Sequence, residues 1–85
     1  MNRSEEIDQL GMRLIDAYRI YDKARGQLFP VSLSCWDDDG RIVIWILEGM
    51  VSTIRYSAII ETQEDIDKVY AYCRGLKRKA IAHLL

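Results

Sequence analysis

The stretch CWDDDGRIVIWILEG, Cys35 to Gly49, sets three consecutive aspartates, a glycine and one arginine before a run of six apolar residues, Ile42 to Leu47. How that acidic triplet is read decides the fold. A type I turn over Asp37, Asp38, Asp39 and Gly40, with the glycine left-handed as a bulge, makes a three-residue hairpin connection. Aspartate suits it because its carboxylate hydrogen-bonds the backbone two residues on. A calcium loop instead needs oxygen ligands at fixed positions around a central glycine. Aligning Gly40 with that glycine puts Cys35 at the first ligand position and Ile46 at the last, and neither ligates a hard cation. The triplet is therefore expected to be the corner of a hairpin.

The residues after the turn, RIVIWILE (41–48), are apolar on both faces, the pattern of a central strand. Before it, Leu28 to Trp36 alternates, with Val31, Leu33 and Cys35 on one side and Ser32, Ser34 and Trp36 on the other. Pro30 places that strand at an edge. After it, VSTIRYSAII (51–60) alternates again, Ile54, Tyr56, Ala58 and Ile60 opposing Thr53, Arg55, Ser57 and Ile59.

Helical periodicity flanks the strands. Ile7, Leu10, Leu14, Ala17, Tyr18 and Tyr21 recur at three- and four-residue spacing, with Met12 and Ile20 off the stripe. Asn2 or Ser4 can cap the start of this helix, and Gly26 ends it. A second helix opens at Thr62, which can cap the Asp65 amide, and buries Ile66, Val69, Tyr70, Cys73, Leu76, Ala80, Ile81 and Leu84. Its stripe keeps phase across Gly75. The expectation is one α+β domain over residues 1–85: helix, three-stranded antiparallel meander, helix (αβββα), in two layers.

At 85 residues, such a domain buries only roughly 60–65 % of its unfolded surface. A composition 49 % hydrophobic and 29 % charged is ordinary for a globular protein. The formal charge of -1 supplies no global attraction to nucleic acid or an anionic membrane. No apolar run approaches the ~20 residues of a membrane span, and MNRSEEIDQL lacks a signal-peptide core. A soluble cytoplasmic protein with Cys35 and Cys73 as reduced, buried thiols is expected.

Candidates for chemistry are few. One histidine, His83, in the last turn of a helix does not make a triad, and no GxxxxGK or GxGxxG pattern is present. No catalytic, cofactor or metal residues are assigned and no enzyme activity is expected. The basic run with Arg74, Lys77, Arg78 and Lys79 is a candidate nucleic-acid surface. On a helical projection those residues split between flanks, with Lys77 near the buried face. The element order resembles the double-stranded-RNA-binding domain. That family's contact needs a basic start to the second helix, whereas this chain has Thr62, Gln63, Glu64, Asp65 and Asp67 there, and the resemblance is rejected.

With Asp37 opposite Arg41, residue 35 pairs with 43, 33 with 45 and 31 with 47. Val31, Leu33, Cys35, Val43, Trp45 and Leu47 then share the face that the helices cover, joined by Met50, Ser52, Ile54 and Tyr56. The opposite face presents Trp36, Ile42, Ile44, Ile46, Val51 and Arg55, a surface too apolar for water: either one helix packs on each face, or, as expected here, this face binds a second copy or another protein. In size and simplicity the chain resembles small inhibitors and regulators of phages and plasmids, anti-CRISPR proteins among them. That build implies a non-enzymatic protein-interaction module, a homodimer acting as inhibitor or regulator. The alternative expectation is a nucleic-acid-binding accessory protein using the basic helix.

Overall fold

A computed structural model describes residues 2–27, 30–49 and 53–84. Helix α1 spans Arg3–Ala24, strands β1, β2 and β3 span Val31–Asp38, Arg41–Glu48 and Thr53–Ile60, and helix α2 spans Gln63–Leu84. The strands form one antiparallel sheet in the order β1-β2-β3. This is the expected αβββα order, and both helices lie on one face of the sheet, Leu10, Leu14, Ile66 and Val69 meeting Ile44, Ile46 and Ile60 in one core.

Local chemistry sets the ends. The Asn2 side chain accepts from the Glu5 amide at 2.9 Å, so Asn2 caps α1. The helix closes with Gly26 at φ 74, its amide bonding the Lys23 carbonyl while the Gln27 amide reaches back to that of Asp22. Only a left-handed residue lets both bonds form, which is why glycine stands there. At α2 the Thr62 hydroxyl accepts from the Asp65 amide, and the Asp65 carboxylate accepts from the Glu61 and Thr62 amides. Those two backbone donors hold the Asp65 carboxyl below its usual range.

The hairpin differs from its expected form. Asp38 pairs with Arg41, leaving Asp39 and Gly40 as a two-residue turn, both at positive φ, 55 and 84. That is the type I′ geometry, whose twist matches the flanking strands and whose signature is Asp-Gly. Asp37 braces it by accepting from the Gly40 amide at 3.0 Å. The change moves the register by one: Cys35 lies opposite Ile44 and Leu33 opposite Ile46. A one-residue slip exchanges the faces of a strand. Ile44 and Ile46 are fully buried under the helices, and Val43, Trp45 and Leu47 occupy the other face.

A second irregularity sits in β3. Ile46 pairs with Tyr56 but Leu47 pairs with Ile54, so Arg55 is an extra residue, a β-bulge. Beyond it Tyr56, Ala58 and Ile60 point to the helices; Ile54 does not. The bulge also carries the Arg55 side chain to the helix side.

The helices run parallel. Arg3 donates to the Glu61 carbonyl, Gln63 to Glu6, and the Arg13 guanidinium lies over the Tyr70 ring, so the two helices climb together from one end. Three antiparallel strands between them require it, because an odd number of strands makes an even number of reversals, four, and returns α2 to the direction of α1.

Candidate functional site

Beyond the Asp38–Arg41 pair that flanks the hairpin turn on the same side, the uncovered face of the sheet is a grid of three rows across three strands, set by the register. Trp36, Val43 and Ile59 form the row nearest the hairpin. Ser34, Trp45 and Ser57 form the middle row, and Ser32, Leu47 and Ile54 the last. Trp36 and Trp45 meet edge to face, ring centroids 4.7 Å apart at 89°, a favoured aromatic geometry. Val43, opposite Trp36 in the register, is 8 % exposed, whereas Ile54 and Ile59 are 46 % and 51 % exposed. None of the nine carries a formal charge. A solvated antiparallel face alternates apolar inside with polar outside; here the central strand β2 is apolar on both sides, and serines stand only on its neighbours, at 32, 34 and 57.

The residues expected to bind a partner are placed as follows. Trp36 is on the open face. Ile44 and Ile46 are core, and Ile42, half-buried, faces the helices with them; the one-residue register difference removes all three from the candidate surface. Val51 lies outside the described residues, as do Met50 and Ser52. Arg55 is not on the open face. Its Nη1 and Nη2 donate to the two oxygens of Asp22 at 2.6 and 3.0 Å, its Nε lies 3.3 Å from Glu48, and its guanidinium stacks 4.6 Å from the Tyr18 ring. Asp22 is 3 % exposed, and its bidentate grip raises the Arg55 pKa further above its usual value. Beside the pair, Tyr18 and Tyr72 share a hydroxyl hydrogen bond, and Tyr72 stacks on Tyr56 at 4.1 Å. Burial, followed by the Tyr72 hydrogen bond, pushes the Tyr18 phenol well above its ordinary pKa. This network fastens α1 and α2 to β3.

Of the basic residues, Arg74, Arg78 and Lys79 are exposed, and Lys77 is half-buried in a groove with Gln9, Met12, Arg13 and Asp16. The α2 stripe stops short of its expected end, since Ile81 and Leu84 are 59 % and 72 % exposed. Cys73 is buried as expected, but Cys35, on the edge strand β1, is exposed rather than buried; both are unpaired. Among the described residues no three His, Cys, Asp or Glu side chains gather as a metal would need. Among the described residues no helix is long and apolar enough to cross a membrane. A cleft of about 410 Å³ between the start of α1 and the end of β1 is lined by Arg3, Ser4, Asp8, Cys35, Trp36 and Asp37 among others.

Charge is segregated by end. The hairpin Asp37–Asp39, Glu5, Glu6 and Asp8 at the start of α1, and Glu61, Glu64, Asp65 and Asp67 at the start of α2 share one end, with Arg3, Arg41 and Lys68 as its cations. Lys23 and Arg25 at the close of α1 and Arg74, Arg78 and Lys79 on α2 lie toward the other. Each helix follows the usual preference for acids at its start and bases at its finish. Because the helices are parallel, the two patterns add, and the formal charge of -1 conceals a large dipole.

Comparison with protein families, with curated proteins and with solved structures found no match to this chain.

Proposed function

We propose that this chain is a small non-enzymatic protein-interaction module that uses the open sheet face and acts as an inhibitor or regulator by occupying a surface of another macromolecule in the cytoplasm. The observation that carries the reading is the uncharged grid centred on Trp45, with two tryptophans and two half-exposed isoleucines facing water. Interface cores are enriched in aromatics and depleted in charge. At ~25 cal/mol per Å² of apolar area, covering even a few hundred Å² of it contributes several kcal/mol. The test is affinity capture from a lysate of the source cell, with wild type and Ile59→Glu side by side. Ile59 is half exposed, so the variant folds, and specific capture should fall away with it. Equal capture by both forms rules out the face.

A second reading, an accessory protein that binds nucleic acid through Arg74, Lys77, Arg78 and Lys79, draws support from the gathering of cations at one end. Its mark is binding to mixed-sequence DNA or RNA that weakens steeply with salt.

A further inference from the structure

We propose that the occupant of the open face is a second copy of this chain, stacked with its strands antiparallel about a twofold axis that runs across the sheet through Ser34, Trp45 and Ser57. The inference rests on the open face being the binding face. Three features of that face select both the occupant and its orientation.

The first is symmetry. Ser34, Trp45 and Ser57 lie opposite one another across the three strands, so a twofold axis along that row sets each against its own mate. The rows on either side then exchange. Trp36 covers Ser32 of the other copy, Val43 meets Leu47, and Ile59 meets Ile54. The largest side chain of the outer rows thus falls on the smallest. A twofold axis along β2 would instead press Trp36 on Ile59 and leave Ser34 facing Ser57, a bulky contact beside a gap.

The second is charge. Two sheets can stack by an axis along the strands or across them, at roughly 30° between strand directions. An axis along β2 keeps strand direction and brings acidic end onto acidic end. The axis across β2 reverses it and lays the acidic end of each copy toward the basic end of the other. At an ionic strength of ~0.01 M the screening length is ~30 Å, comparable with the 41 Å length of the molecule, so the dipoles interact as wholes. The nine residues of the grid bring no charge to desolvate, and the charged Asp38–Arg41 pair stands at its rim beside the hairpin, with Arg41 half-exposed and 3.7 Å from Glu61.

The third is area. Three eight-residue strands at ~4.8 Å spacing and ~3.3 Å per residue present roughly 400 Å² in projection. Two such faces, with side-chain relief, remove on the order of 1,000 Å² from water, at the lower bound for a specific interface. A homodimer of micromolar affinity is the expected product.

The experiment is sedimentation equilibrium on the full chain with Ile54→Lys, Ile59→Glu and the double variant, each checked for folding by circular dichroism. Positions 54 and 59 face each other only across the axis through Trp45. Each single change should weaken the wild-type dimer by about tenfold or more, and the double change should recover most of that loss. The wild-type dimer should weaken as salt rises from ~0.02 to ~0.3 M, because screening removes an attraction. Loss in both single variants without recovery in the double, or a dimer that tightens with salt, overturns the antiparallel arrangement and leaves the face as the binding surface. A chain that stays monomeric, yet loses a captured protein on Ile59→Glu, overturns the second copy alone. Association and capture indifferent to all three variants overturn both proposals.

Discussion

Arg55 is the residue on which the two layers are fastened. Its bulge position turns it under α1, where it meets Asp22 through two hydrogen bonds and Glu48 through a third contact. Replacing it with methionine keeps the stem but leaves Asp22, 3 % exposed, without its cation. Stranding one partner of a buried pair costs about 3–5 kcal/mol, so Arg55→Met should lower the unfolding free energy by that order in urea titration. Asp22→Asn should cost less, because Arg55 retains Glu48 and is less deeply buried. Equal losses would show that the pair acts only through its hydrogen-bond count. None of this was legible in the sequence, where strict alternation put Arg55 on the solvent side of β3; a bulge breaks that alternation by one residue and leaves no compositional mark.

At the scale of elements, the helices and strands were legible because each writes its own period: Leu10, Leu14, Ile66 and Val69 fall on helical stripes and are buried, and the αβββα order follows from them. Which face of β2 those stripes cover was not. Ile42, Ile44 and Ile46 alternate with Val43, Trp45 and Leu47, so hydrophobicity cannot choose between the two sides, and the turn alone decides. Asp39-Gly40 carried the deciding signal as the type I′ dipeptide, whereas a turn begun at Asp37 pairs the strands one residue out. The buried side is therefore testable by paired substitutions. Ile44→Asp puts a carboxylate in the centre of the core, at a cost of about 4 kcal/mol or more. That is a large part of the ~5–15 kcal/mol holding a domain together, and the variant should melt far below wild type or fail to fold. Ile59→Glu, one row away on the open face, should leave the melting temperature of the monomer within a few degrees. The reverse result would restore the other register.

For the whole molecule, the consequence of an odd strand count reaches beyond topology. Parallel helices that each begin in acids and finish in bases make one end of the protein negative and the other positive, while the total stays at -1. A net charge that small predicts weak retention on any ion exchanger, but a surface approaches a resin by its most favourable patch. At pH 7 and roughly 0.02 M salt, where fields persist over ~20 Å, the protein should be held by both anion- and cation-exchange media. It should leave both as salt passes ~0.15 M and the screening length falls to ~8 Å. Arg74→Glu with Arg78→Glu, both exposed positions, should abolish retention on the cation exchanger and strengthen it on the anion exchanger. Retention by the anion exchanger alone in the wild type would mean that the charges are mixed in solution, and would remove the electrostatic reason for antiparallel pairing. If the basic end also holds nucleic acid, the same double change should flatten the salt dependence of that binding by about two cations' worth, while a purely electrostatic hold on the resin shows no preference for DNA or RNA over any other polyanion.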